Sequence, residues 1–155
     1  MSVAQPNRAG MVCFNRAGDV LICSALGKSA CWVFPKGHLE VGEATWEAAE
    51  RECLEECRVY ATSDWGSPIG IQSYDYRGES VVVEWWAGLA IYLVDPPEQG
   101  DELSWGFRLT KWCSPTIALD LLSFPAHRNI LRRALCLPEV VEAAQVTLTD
   151  SKEVT

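Results

Sequence analysis

Short apolar runs separated by turn residues fill the first third of the chain. Ala9 to Asn15 and Val20 to Ala25 are rich in apolar residues, and they flank Arg16 to Asp19, whose Gly and Asp favour a turn. This pattern predicts a β-hairpin. Cys31 to Phe34 is predicted as a third, short strand that stops at Pro35, because proline has no backbone N–H to donate to a neighbouring strand.

Extended segments continue through the middle of the chain. Val59 to Thr62 and Ile69 to Tyr76 have extended character, and Arg77 to Glu79 is a predicted turn between strands. Val81 to Val94 is rich in β-branched and aromatic residues, which predicts a long central strand. Phe107 to Trp112 is predicted as one further strand.

Three segments are predicted to be helical. The residues from Thr45 to Glu56 are mostly helix formers, with Thr45 as the expected N-cap. Ser114 followed by Pro115 matches the preference for serine at the N-cap and proline at the first helical position, so a helix is predicted to begin there. Pro125 is predicted to open the last helix. Strands mixed with helices in this order indicate an α/β fold.

The length and the net charge limit the organisation and the partners. A chain of 155 residues is long enough for one sizeable core, and we predict a single domain over residues 9–138 with flexible termini at 1–8 and 139–155. The net charge of −8 argues against a broad nucleic-acid surface, so no nucleic acid is expected as a partner. A polyphosphate ligand stays compatible, provided that metal ions and local basic residues neutralise both sides.

Cysteine usage and hydropathy indicate the compartment. The seven cysteines are scattered without a C-x-x-C pair, and no apolar run approaches the roughly 18 residues of a membrane span. The first residues lack a basic start followed by an apolar stretch, which is the pattern of a signal peptide. We therefore expect a cytoplasmic protein with reduced thiols and no membrane partner, either a monomer or a homodimer.

One segment carries an acidic motif of fixed spacing, Gly-x5-Glu-x7-Arg-Glu-x2-Glu-Glu. Side chains three and four residues apart share one face of a helix, so the last three carboxylates converge on the predicted helix. Grouped carboxylates suit a hard divalent cation such as Mg²⁺, which prefers oxygen ligands and accepts substrate phosphates beside them. The motif comprises Gly37, Glu43, Arg51, Glu52, Glu55 and Glu56.

This motif resembles the Nudix box, and the chain is similar to Nudix hydrolases. The resemblance implies an α/β/α sandwich around a mixed β-sheet, and hydrolysis of a pyrophosphate bond in a nucleoside diphosphate linked to another group. It also implies Mg²⁺ or Mn²⁺ held by the carboxylates of Glu52, Glu55 and Glu56 and by the backbone carbonyl of Gly37. Either Glu52 or Glu55 would orient or deprotonate the attacking water, and the choice between them stays open. One position departs from the family pattern, because Arg58 replaces a glycine that caps the helix, and we expect an altered helix exit.

Residues around the box have expected supporting roles. The resemblance implies that Arg51 pairs with Glu43 and braces the loop against the helix. Lys36 and His38 flank Gly37 and are candidates for phosphate contact, since an ammonium suits phosphate as a point charge. Some members of the family add a fourth metal-binding acid on a loop after the long strand, where this chain has Glu98, Asp101 and Glu102. Glu102 is the candidate among them, but none has a diagnostic spacing, and solvated loop acids are the more usual interpretation. Aromatic side chains are candidates for stacking on a base, with core packing as the alternative for each; these are Trp85, Trp86, Trp105, Trp112, Tyr74 and Tyr76.

The residues just before the box bear on the substrate. The sequence Trp32-x-x-Pro-Lys-Gly-His resembles the branch that cleaves diadenosine polyphosphates and, in related members, diphosphoinositol polyphosphates. A dinucleoside polyphosphate is therefore the expected substrate. A nucleoside triphosphate or nucleotide-sugar pyrophosphohydrolase is the enzymatic alternative. A non-catalytic Nudix-fold binding or regulatory domain is the alternative of another class, and it is disfavoured because all the box carboxylates are present.

Overall fold

A computed structural model describes residues 4–25, 28–63, 67–94, 109–138 and 140. Within these ranges the chain forms strands that build one sheet, and three helices. The strands are β1 (Arg8–Phe14), β2 (Val20–Ala25), β3 (Lys28–Val33), β4 (Lys36–His38), β5 (Val59–Thr62), β6 (Pro68–Tyr76), β7 (Glu79–Leu93) and β8 (Thr110–Cys113). The helices are α1 (Thr45–Cys57), α2 (Pro115–Leu121) and α3 (Pro125–Ala134). No helix among the described residues is long and apolar enough to cross a membrane.

The sheet is mixed, as the sequence analysis expects. Its central path runs β3-β2-β1-β7-β5, with β4 paired to β1, β6 paired to β7 and β8 paired to β2. Strands β1 and β7 are parallel, whereas the other pairs are antiparallel. The predicted hairpin is confirmed, because Phe14 of β1 lies opposite Val20 of β2.

Helices cover both faces of this sheet. All seven residues of β1 are buried, because a central strand with helices on both sides has no solvent face. Met11 and Cys13 point into the core under α1, while Val12 and Phe14 point into the core under α2 and α3. The architecture is the expected α/β/α sandwich. Helix α1 on one face carries the box, and α3 on the other face borders a cavity.

The loop before α1 contains a strand that the sequence did not reveal. We expected a tight turn from Pro35 onward, but Lys36–His38 forms β4 and pairs antiparallel with β1. Gly37 lies opposite Ala9, and Ala9 in turn lies opposite Glu84 of β7. A strand of three residues is too short to show a period in its sequence, so only the partner strand indicates it.

The N-terminus of α1 differs from the expectation by one residue. Ala44, not Thr45, is the N-cap, and its N–H donates to the Glu47 carboxylate at 3.1 Å. Thr45 is the first helical residue, and its hydroxyl donates to Glu84 and accepts from the Trp86 indole N–H. The prediction of Thr45 as the cap was wrong because this hydroxyl bonds to β7 instead of its own helix.

The C-terminus of α1 also corrects an expectation. Arg58 adopts the left-handed conformation, with φ 57° and ψ 31°, and its N–H donates to the Leu54 carbonyl at 2.9 Å. This is the geometry that a glycine cap would give. The expected alteration of the helix exit is therefore wrong: an arginine adopts the same backbone conformation at a cost in strain.

The remaining elements follow the sequence closely. Strands β5, β6 and β7 confirm the three predicted extended segments in the middle of the chain. Ser114 caps α2 by accepting the Ile117 N–H at 3.3 Å, with Pro115 at the first helical position, and Pro125 opens α3. The first strand starts at Arg8, one residue before the boundary expected for the domain. The predicted strand at 107–112 lies partly outside the described residues, as does most of the C-terminal tail.

Candidate active site

Helix α1 places the box carboxylates over strand β4. Glu52 is buried, with 9% of its surface exposed, and its carboxylate lies directly on the backbone of Gly37. A side chain at position 37 would overlap this carboxylate, so the close approach of helix and strand requires glycine there. Glu56 lies one turn further along the helix, and its Oε2 accepts the Lys36 backbone N–H at 3.2 Å.

Arg51 is bonded to the acidic side chains around it. Its Nε and Nη2 donate to the two oxygens of Glu43 at 2.8 and 2.9 Å. Its Nη1 donates to Oε1 of Glu52 at 2.9 Å and to Oε2 of Glu55 at 3.2 Å. Nη2 also donates to the His38 carbonyl at 2.8 Å, which ties β4 to the helix. The loop, the strand and the helix are thus joined through one guanidinium.

The electrostatics of this cluster follow from that guanidinium. The hydrogen bond from Arg51 lowers the pKa of the Glu43 carboxyl, and burial opposes the effect only in part. The same hydrogen bond with Glu43, followed by the one with Glu52, raises the pKa of Arg51. Arg51 therefore stays charged and offsets the repulsion among carboxylates that lie three and four residues apart on one helix.

The box acids have the donor chemistry of a hard-cation site. Four acidic side chains and the Gly37 backbone meet at the α1–β4 junction, and carboxylate and carbonyl oxygens are the ligands that Mg²⁺ and Mn²⁺ prefer. In the part of the chain that the structure describes, however, no three His, Cys, Asp or Glu side chains are arranged around a common ion position. Glu98, Asp101 and Glu102 lie outside the described residues.

A cavity of about 660 Å³ lies beside the box and is bordered by residues of β1, β6, β7 and α3. Glu56, basic side chains and aromatic side chains all line it. The Lys36 ammonium lies 5.8 Å from the centre of the Tyr74 ring, within range of a cation–π contact. The basic lining residues are Arg8, Lys36 and His38; the aromatic ones are Phe34, Tyr74, Tyr76, Trp85, Phe124 and His127.

The aromatic candidates separate into two groups. Tyr74, Tyr76 and Trp85 line the cavity. Trp85 is fully buried, so it forms part of the cavity wall and is not exposed to solvent. Trp86 and Trp112 pack against the core under α1, away from the cavity. Trp105 lies outside the described residues. Core packing is therefore the role of Trp86 and Trp112, which was the alternative considered for each.

Several cavity residues had no signal in the sequence. Arg8 lies in the segment expected to be a flexible arm, and Gln72 lies in a strand whose face was not predicted. Phe124 and His127 belong to α3, whose sequence suggested only an apolar face. These residues meet because β6 pairs with β7 and α3 packs on that side of the sheet, and neither contact is encoded in local spacing.

His127 is the buried polar group of this cavity wall. It is 4% exposed, and its ring lies among those of Phe34, Trp85 and Phe124 at centroid distances of 5.8, 5.3 and 5.6 Å. Its Nδ1 accepts the Phe34 backbone N–H at 3.4 Å. Burial, with a smaller contribution from the nearby Lys36 charge, lowers the pKa of His127 to about 4. The imidazole is consequently neutral at physiological pH.

A model of a known protein family matches this chain. The NUDIX domain model matches residues 4–134, which is most of the chain. The chain belongs to the Nudix family.

An RNA pyrophosphohydrolase of Rhodopseudomonas palustris is 43% identical over 152 aligned residues, covering 81% of this chain and 86% of that protein. A bis(5'-nucleosyl)-tetraphosphatase (asymmetrical) of Caenorhabditis elegans is 26% identical, covering 81% of this chain and 91% of the relative. This Nudix protein is a pyrophosphohydrolase that acts on phosphoric anhydride bonds.

Solved structures agree with this assignment. A C. elegans Ap4A hydrolase, in a binary complex, superposes with a TM-score of 0.58 at 27% identity and covers 81% of this chain and 92% of its own. A NUDIX hydrolase from Nitrosomonas europaea superposes with a TM-score of 0.66 at 20% identity, covering 84% and 88% of the two chains. The second similarity concerns the fold alone, while the first also supports the branch that the Pro-Lys-Gly-His lead-in resembles.

Proposed function

We propose that this Nudix protein hydrolyses a dinucleoside polyphosphate in a reaction that depends on Mg²⁺ or Mn²⁺. The observation that carries the proposal is the continuity of the cavity. One space is lined by the box acid Glu56, by Lys36 and by aromatic side chains of β6 and α3. Such a space suits a substrate with a polyphosphate at one end and a nucleobase at the other.

The metal would be held by the box. Glu52, Glu55, Glu56 and the Gly37 carbonyl are the proposed ligands, and Glu55 must turn from Arg51 to take part. Its side chain is 47% exposed, so this rotation meets little packing. When bound, the ion supplies charge neutralisation for the polyphosphate and a lower pKa for a water molecule.

The side chains of this protein would position the reacting groups. Lys36, Arg8 and His38 line the cavity and are the proposed contacts of the phosphate oxygens. Arg51 and Glu43 hold β4 and α1 in register, which keeps the proposed ligands beside the phosphates. Glu52 or Glu55 accepts the proton of the attacking water. Phosphoryl transfer demands little covalent participation by the protein, so positioning and charge are the main contributions.

A second candidate substrate is an RNA with a 5′-terminal polyphosphate. The relative that is 43% identical bears the name RNA pyrophosphohydrolase, and this supports the candidate. The net charge of −8 counts against a long basic surface for the RNA chain, but the anhydride bonds of an RNA are confined to its 5′ end. The lead-in Trp-x-x-Pro-Lys-Gly-His and the C. elegans relative favour the dinucleotide instead.

A substrate panel tests the proposal. The protein is incubated with Mg²⁺ or Mn²⁺ and with Ap4A, ATP, a nucleotide sugar or a short 5′-triphosphate RNA, and the mononucleotide and phosphate products are quantified. We expect the highest kcat/KM for Ap4A, and no turnover when the metal is chelated. A preference for the RNA would establish the second candidate, and a preference for ATP or the sugar would overturn the branch assignment. Tight binding without any turnover would refute the proposal altogether.

The cellular setting is part of the same proposal. All seven cysteines are free thiols, and this fits a reducing compartment such as the cytoplasm. We expect a monomer or a homodimer, which light scattering of the purified protein distinguishes.

A further inference from the structure

The cavity wall holds a buried hydrogen-bond donor that has no acceptor among the described residues. In the neutral His127 ring one nitrogen accepts and the other carries the proton. Because Nδ1 accepts from the Phe34 backbone, the proton is on Nε2. No described residue accepts this Nε2–H, although the side chain is 4% exposed and lines the cavity. A buried donor without a partner is unfavourable, so such a group calls for a ligand or a water molecule.

The neighbouring amide of Gln72 is already used. Its Oε1 accepts the Trp85 indole N–H at 2.9 Å, and its Nε2 donates to the Ala126 carbonyl at 2.9 Å. These two bonds connect β6, β7 and the first turn of α3, and they fix the residue that precedes His127. Gln72 therefore positions the helix, and His127 is left as the imidazole donor that faces the cavity.

We propose that the Nε2–H of His127 donates a hydrogen bond to a ring nitrogen of the substrate's nucleobase, and so selects the base that enters the cavity. The inference rests on the proposed function, in that a nucleotide is the ligand. It adds a specificity-determining residue, on α3, to the wall of this cavity. The ligand class is a purine nucleotide, which offers ring nitrogens as acceptors on a flat surface that the surrounding aromatic rings can contact.

The surroundings of His127 favour a neutral acceptor over a phosphate. Three aromatic rings enclose the imidazole, and the nearby Lys36 ammonium disfavours a positive charge on it. A phosphate would be matched by a cationic imidazole, which this environment opposes. Lys36 offers a permanent charge to a phosphate in the same cavity, whereas Arg8 lies 3.6 Å from the Glu79 carboxylate. The polyphosphate is expected beside Lys36 and the box acids, and the base beside His127.

Two substitutions at position 127 separate the donor from the structural role of the ring. In His127→Asn the side-chain amide lies near the former Nδ1 and can still accept the Phe34 N–H, but the distal donor is lost. In His127→Gln the amide reaches the position of Nε2 and restores a donor, while the bond to Phe34 is lost. We expect AMP binding, measured by calorimetry, to weaken about 5- to 10-fold in the Asn variant and to recover in the Gln variant. Equal affinity of the Asn variant and the wild type would overturn the inference.

Analogues of the ligand test the same bond from the other side. We compare AMP with its 1-deaza, 3-deaza and 7-deaza analogues and with 2′-deoxy-AMP. One deaza analogue should lose about 5- to 10-fold in affinity for the wild type and nothing further in the Asn variant, as expected when two changes remove one bond. If only the deoxy analogue shows this coupling, the acceptor is the ribose and the inference is wrong. The loss of affinity for one deaza analogue can be measured on the wild type alone, and the Asn variant then shows whether that loss involves His127.

Nuclear magnetic resonance of the His127 imidazole in the wild type tests the inference independently of the proposed function. Long-range ¹H–¹⁵N spectra should show His127 with its proton on Nε2, and addition of AMP should shift this nitrogen. A shift without hydrolysis of any substrate would refute the proposed function and leave the His127 assignment intact. Hydrolysis of Ap4A with an unchanged His127 signal at saturating AMP would refute the assignment alone. Absence of AMP binding would also refute it.

Discussion

At the scale of single residues, the box depends on the placement of Arg51. Its guanidinium donates to Glu43, Glu52 and Glu55, so one positive group holds three carboxylates that would otherwise repel one another. The planar guanidinium bonds both oxygens of Glu43 at once, a geometry that lysine cannot reproduce. The charge and the shape of this side chain therefore contribute separately.

Replacing Arg51 by lysine tests the contribution of shape. The variant keeps the charge but loses the paired bonds to Glu43 and the bond to the His38 carbonyl. We expect Arg51→Lys to lower the free energy of unfolding by about 1–3 kcal/mol in urea titrations, and to reduce hydrolysis. Glu40→Gln is the matched control, because Glu40 is 3.8 Å from the same guanidinium and 69% exposed. The control should change stability by less than about 0.5 kcal/mol, and an equal loss in both variants would contradict this account.

The lowered pKa of Glu43 predicts that the free energy of unfolding depends on pH. Arg51 lowers the pKa of this carboxyl below its ordinary value of 4.5. A carboxyl whose pKa is lower in the folded state stabilises the fold above the unfolded pKa, and this contribution is lost as the pH falls through the folded pKa. Wild-type stability should therefore decrease below about pH 4.5, and Glu43→Gln should be less stable at neutral pH with a shallower acid decrease. Urea unfolding at several pH values measures both. A variant with an acid decrease as steep as the wild type would show that Glu43 does not carry the effect.

At the scale of elements, both ends of helix α1 show what local sequence encodes. The composition from Thr45 onward predicted the helix correctly, and the spacing of its acids predicted their shared face. The cap was misassigned because Thr45 bonds to Glu84 and Trp86 on β7, a contact that depends on tertiary structure. Strand β4 was missed for a related reason, since three residues become a strand only when β1 lies beside them.

The left-handed conformation of Arg58 at the C-terminus of α1 predicts that glycine at this position stabilises the fold. Arg58 holds φ at 57°, a conformation that costs a residue with a side chain about 1–2 kcal/mol and costs glycine little. Arg58→Gly should raise the free energy of unfolding by roughly 0.5–1 kcal/mol after the greater flexibility of glycine in the unfolded chain is subtracted. Arg58→Ala keeps the strained backbone and should give no increase. If the alanine variant gains as much as the glycine variant, the gain arises from the lost side chain and not from the backbone.

At the scale of the whole molecule, the proposed site combines one contiguous segment with residues from distant elements. The box acids come from one contiguous segment, so their spacing was enough to predict the chemistry. The cavity combines Arg8 from β1, Gln72 and Tyr74 from β6, and His127 from α3. These residues meet through strand order and helix packing, which hydrophobic periodicity does not determine. Sequence therefore predicted the class of reaction and the fold class, while the residues that line the cavity required the three-dimensional structure.

The central claim is that the box acids support metal-dependent cleavage of a dinucleoside polyphosphate, and the initial rate of Ap4A hydrolysis tests it most directly. Rates are compared in Mg²⁺ for the wild type, Glu55→Gln, Glu56→Gln and Glu47→Gln. Glu47 lies on the same helix but bonds the Ala44 N–H, a role that glutamine can fill, so it is the matched control. The account predicts wild-type rates for the control and losses of about 100-fold or more in the other two variants, with the fold retained. Full activity in both Glu55→Gln and Glu56→Gln, or no cleavage of Ap4A by the wild type, would contradict it.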